Sequence, residues 1–88
     1  MNLINYMEEA TCTVLGQMPQ DPAYAALRDD EKAKMDVLAI ALNHLPPRYF
    51  VTDKGHTFSK AQELRVQFKT DILVELTKAI QTVMSHPR

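Results

Sequence analysis

The chain has 88 residues, 45% of them hydrophobic and 24% charged, with a formal net charge of −1. That composition describes one folded globular domain over residues 1–88 rather than a disordered segment. The near-zero charge argues against direct, general binding to DNA or RNA, which needs a clear excess of Lys and Arg. A chain this short buries only roughly 60–65% of its unfolded surface, so its stability margin is narrow.

The first amphipathic stretch runs from Leu3 to Gln17. Leu3, Met7, Ala10, Val14 and Leu15 recur at helical spacing, Asn2 is the expected cap, and Glu8 and Glu9 suit the N-terminal half. Gly16 marks its end, and Met18-Pro19-Gln20-Asp21-Pro22 breaks the chain. A short helical turn is expected at Ala23–Leu27. Asp29 and Asp30 then cap a second helix, Glu31 to His44, whose apolar stripe is Met35, Leu38, Ala41, Leu42 and Leu45 with Val37 and Ile40 on the flank. Pro46-Pro47 must stop this helix, leaving an extended, stiff segment from Pro46 to Val51. Thr52 to His56 reads as a polar loop with Gly55 in a turn. Ser59-Lys60-Ala61-Gln62 has the capping-box pattern and opens the third helix, along which Leu64, Phe68, Ile72, Leu76, Ile80 and Val83 follow in steps of three and four. Carried to Met84, that helix is about 38 Å long. The expected fold is therefore all-α: a small domain of three main helices, the C-terminal one long. A single partner helix cannot cover such a length, so a homodimer is expected.

Chemistry is sparse. Cys12 is the sole cysteine, which excludes an internal disulfide and fits a reducing cytoplasm. Within the first helix it reads as a small apolar residue at or near the core. His44 suits the negative end of the second helix. Cys12, His44, His56 and His86 lack the paired spacing of a zinc site, and Gly16 and Gly55 alone cannot build a phosphate loop. The expected protein is thus not an enzyme and holds no metal or cofactor. Met1 to Tyr6 lacks the basic start of a signal peptide, and no apolar run approaches the roughly 20 residues that span a bilayer. A cytoplasmic protein away from the membrane is the natural expectation.

The proline turn is the richest constellation. Asp36, Asn43, Arg48 and Tyr49 supply a carboxylate, an amide, a guanidinium and an aromatic face, the groups that read guanine. Lys34 opens the same segment. Arg65 and Lys69, four residues apart, and Lys60 before them can neutralise phosphates. The same residues can instead serve structure alone, with Asp36 and Asn43 bridging backbone and Arg48 and Tyr49 edging the core. Spacing leaves both readings open.

The run Asp36-Val37-Leu38-Ala39-x-Ala41-Leu42-Asn43-x-Leu45-Pro46-Pro47-x-Tyr49 resembles the signature of the ComFB family of late-competence development proteins. The start Leu3-Ile4-x-x-Met7-Glu8-Glu9 and the long C-terminal helix are similar to that family too, and the resemblance is weakest over 17–30. It implies a small, dimerising helical fold. It also implies a receptor for the second messenger cyclic di-GMP that signals through an unidentified protein partner in competence, motility or biofilm-type regulation. Some members bind zinc through cysteines just before the Asp-Val segment; Arg28 to Lys34 has none, so a zinc role is not expected. The competing expectation is a ligand-independent scaffold for protein interactions.

Overall fold

The computed structural model describes residues 2–18, 27, 29–52 and 57–85, with side chains omitted at 52 and 57–61. The elements run β1 (Asn2–Asn5), α1 (Tyr6–Gly16), α2 (Glu31–Asn43), β2 (Tyr49–Thr52), α3 (Thr57–Gln67) and α4 (Lys69–Ser85). The fold is mostly helical, but the all-α expectation needs correcting. A two-stranded antiparallel sheet pairs Asn2 with Thr52, Leu3 with Val51, Ile4 with Phe50 and Asn5 with Tyr49.

The sheet explains why the first helix starts late. Asn2 does not cap it and Leu3 is not on it. Asn5 is the N-cap, its side chain accepting from the Met7 amide at 3.2 Å. Pro46 and Pro47 hold the following chain extended, and this rigid segment offers β1 a ladder that outweighs three more residues of helix. The alternation of the strands sends Ile4 and Phe50 inward, where the Phe50 ring meets Tyr6 at 5.1 Å between centroids. Leu3 and Val51, at 71% and 66% exposure, face outward with Tyr49.

Tyr6, Met7, Ala10, Thr11 and Val14 are the buried residues of α1. Cys12 points away from them and is exposed, not near the core. Partial burial, and then the carboxylates Glu8 and Glu9, raise its thiol above the usual cysteine range, which leaves little thiolate at neutral pH. Thr11 is fully buried, and its Oγ1 has no hydrogen-bond partner among the described residues. A buried hydroxyl in that state costs about 1–3 kcal/mol. Thr11→Val, which keeps the shape and removes the oxygen, should therefore raise stability by about 1 kcal/mol, read as a higher urea midpoint with an unchanged slope.

Asp30 caps α2 as expected, accepting from the Ala33 amide at 3.0 Å. At the other end His44 is the C-cap, and its Nδ1 lies 2.9 Å from the Ile40 carbonyl, as suits a donor at the negative end of a helix. The stripe is rotated from the expected one. Val37 and Ala41 are buried, whereas Met35 is 62% exposed. The cause is the partner: α2 packs on α4, and the buried pair meets Ile72, Leu76, Ala79 and Ile80 in one core.

The long third helix is two helices. α3 begins at Thr57, so Ser59 lies inside its first turn and does not open it. A serine within a helix costs only a few tenths of a kcal/mol, too little to stop propagation. The break falls at Phe68. Helical bonding continues on both sides of it, from the Phe68 amide to the Leu64 carbonyl at 2.8 Å and from the Ile72 amide to the Phe68 carbonyl at 2.9 Å. Thr70 and Asp71 suit a new helix start. The break marks a change of partner, since α3 packs on α1 and α4 on α2. Both halves are thus covered within one chain, and helix length is no longer an argument for a dimer. The expected turn at Ala23–Leu27 lies outside the described residues apart from Leu27, which is buried in the core. Gly55, His56 and His86 lie outside them as well.

Candidate functional site

Arg48 follows the proline pair and is held at four points. Its amide donates to Asn5 Oδ1 at 2.9 Å, and its carbonyl accepts from the Tyr6 amide at 2.8 Å. Its Nη1 donates to the Pro47 carbonyl at 3.1 Å, and its guanidinium carbon lies 5.0 Å from the centre of the Phe68 ring. A cation over an aromatic face gains about 0.5–2 kcal/mol. The side chain is half-buried but not withdrawn from solvent. Tyr49, the next residue, is exposed on the outward side of the sheet.

Phe68 lies three residues after Arg65 and directly before Lys69. Arg65 and Lys69, four residues apart, share a helical face with each other. Arg48 reaches the α3–α4 break through the Phe68 ring. Arg65 and Lys69 line a groove of about 420 Å³ with Val14, Met18, Val66 and Leu73. Neither cation forms an ion pair among the described residues.

The other candidates are more spread. Asn43, the last residue of α2, is exposed at the end from which the chain leads to Arg48. Half-buried Asp36 lies two turns earlier on that helix. Lys34 is close to the opposite end, about 14 Å from Asn43 along the axis at 1.5 Å per residue, and is ion-paired with Glu31 at 3.4 Å. Lys60 lies on α3, with its side chain outside the described set. Sequence reasoning missed two positions, Asn5 and Phe68. Asn5 fell in the first turn of the expected first helix with no role of its own, and Phe68 read as one more step in an apolar stripe.

Among the described residues no three of His, Cys, Asp and Glu gather where they could hold a metal ion. No described helix is long and apolar enough to cross a membrane.

The described residues form a small, mostly helical domain with one two-stranded antiparallel sheet. The family described as "Late competence development protein ComFB" matches residues 4–87. A solved structure, that of the late competence protein ComFB from Bacillus subtilis, is 30% identical with a TM-score of 0.78, and the match covers 99% of this chain and 96% of that one. The chain belongs to the ComFB family. No curated protein matches it.

Proposed function

We propose that this protein is a non-enzymatic, cytoplasmic receptor for cyclic di-GMP that signals through a protein partner. The observation that supports this reading is that Arg48 lies over Phe68 at the α3–α4 break, while Arg65 and Lys69, on either side of Phe68 in the sequence, line a groove and form no ion pair among the described residues, in a chain whose net charge is only −1. Cations grouped against an overall acidic balance suit a compact, multiply charged anion. Arg48 is well suited to guanine. Its backbone is fixed by Asn5 and Tyr6 and its side chain by the Pro47 carbonyl and the Phe68 ring, so the planar donor fork is pre-positioned, and Tyr49, next in sequence and exposed on the outward sheet face, offers a ring. Arg65 and Lys69 then meet phosphate oxygens. Asn43 and Asp36 are placed to extend the site along α2. Lys34, at the far end of that helix, contributes least.

The ligand has two-fold symmetry, and a dimer would present two such turns to it. The outward sheet face, with Leu3, Tyr49 and Val51 exposed, is the apolar surface that favours self-association. A monomer mass by light scattering at micromolar concentration would remove the symmetric version of the proposal.

Titration calorimetry with cyclic di-GMP tests the whole. Saturable heat and a thermal shift are expected. Neither, where a known receptor responds, overturns the reading and leaves the protein-interaction scaffold. Arg48→Ala should weaken binding by about 1–3 kcal/mol, the loss of a charged hydrogen-bond partner. Unchanged affinity would place the nucleotide elsewhere.

A further inference from the structure

The groove between the end of α1 and the α3–α4 break has a chemistry of its own. Its described walls are aliphatic: Val14 from α1, Met18 just beyond the end of that helix, Val66 from α3 and Leu73 from α4. Gln17 adds an amide, and among the described residues no aromatic ring or carboxylate lines it. The groove therefore offers no described aromatic face to a stacking nucleobase. Its two charged residues, Arg65 and Lys69, are both cationic and free of ion pairs among the described residues. Its volume of about 420 Å³ falls within the range of small-molecule sites. Val66 is 71% exposed, so water now covers an apolar wall that an occupant could shield.

We infer that this groove binds an anionic amphiphile: an aliphatic chain ending in a carboxylate or phosphate. The chain lies against Val14, Met18, Val66 and Leu73, and the head group meets Arg65 and Lys69. Charge complementarity selects the head, because the described rim offers two cations and, among the described residues, no acid. The aliphatic character of the described walls selects a flexible aliphatic body over a planar one. This inference does not rest on the nucleotide reading, although both draw on the same two cations.

The test uses the full chain with dodecanoate, dodecyl phosphate and dodecyltrimethylammonium, each below its micelle concentration. Methyl resonances of Val14, Met18, Val66 and Leu73 report on the groove. Dodecanoate or dodecyl phosphate should shift them saturably, and the preferred head group identifies the anion. Lys69→Glu should weaken binding about tenfold, as loss of a charge-assisted contact does. Val66→Glu, at a surface position that leaves the core intact, should do the same by placing a carboxylate in the groove. The inference is overturned if neither anion moves these methyls. It is also overturned if dodecyltrimethylammonium moves them equally, or if Val66→Glu binds as tightly as the parent. A protein that binds dodecanoate but not cyclic di-GMP would keep this inference and end the other.

Discussion

Leu76→Ala is expected to remove about 3–4 kcal/mol of stability. Leu76 is fully buried in α4 and clusters with Val37 and Ala41 of α2 and with Ile72 and Ile80 one turn to either side. Truncation loses the transfer energy of the side chain and leaves a cavity that two packed helices cannot close. A domain of this length has a total stability on the order of 4–13 kcal/mol, so the variant should be partly unfolded on warming to 37 °C. The urea midpoint should fall while the slope is retained. Leu76→Met, which conserves volume, should cost less than about 1.5 kcal/mol. An unchanged midpoint for the alanine variant would mean that α4 is not seated on α2.

Asn5→Ala should have the next largest effect, about 2–3 kcal/mol, from a half-buried residue outside the apolar core. Its Oδ1 accepts from the Met7 amide at 3.2 Å and from the Arg48 amide at 2.9 Å. Removing it deletes a helix cap, worth typically about 1 kcal/mol. It also strands the Arg48 amide, which adds the cost of an unpaired donor, about 1–3 kcal/mol when buried. Midpoint temperature should fall by about 10–20 °C. Asn5→Asp keeps the acceptor and should stay close to the parent. If alanine is tolerated as well as aspartate, the shared oxygen is not what joins α1 to β2. The substitution also frees the Arg48 backbone, so under the proposed function cyclic di-GMP affinity should fall even though Asn5 is not assigned to the ligand.

Much of this architecture is legible from local chemistry. Asp30 announces α2 because a carboxylate before a helical run has an amide to satisfy within three residues. Ile72, Leu76 and Ile80 repeat on one face and are buried on one face. The two prolines force the extension that becomes β2. What could not be read depends on partners remote in the chain. Leu3 and Met7 have helical spacing, and a run as short as Asn2–Asn5 cannot declare itself a strand until Tyr49–Thr52 lies beside it. The α2 stripe is rotated because Val37 answers to α4, which periodicity within α2 does not see. Cys12, expected at or near the core, lies outside it through a small rotation of α1, and the neighbouring Thr11 is buried. The site divides in the same way. Arg48, Arg65 and Lys69 stand out by chemical type, whereas Asn5 and Phe68 acquire their roles only through the tertiary contacts that hold Arg48.

The Asn5–Arg48 hydrogen bond spans 43 residues, and that separation has a kinetic meaning. Closing a loop of this length costs about 3 kcal/mol of chain entropy, which a four-residue ladder cannot repay early. The helical pairs α1–α3 and α2–α4 close loops of comparable length but bury most of the apolar core, so they should form the folding nucleus, and the sheet should close after the main barrier. Asn5→Ala would then have a φ-value near zero, with refolding unchanged and nearly all of its destabilisation seen as faster unfolding. In that order of events the turn bearing Arg48 is the last part of the molecule to take its shape and the first to lose it.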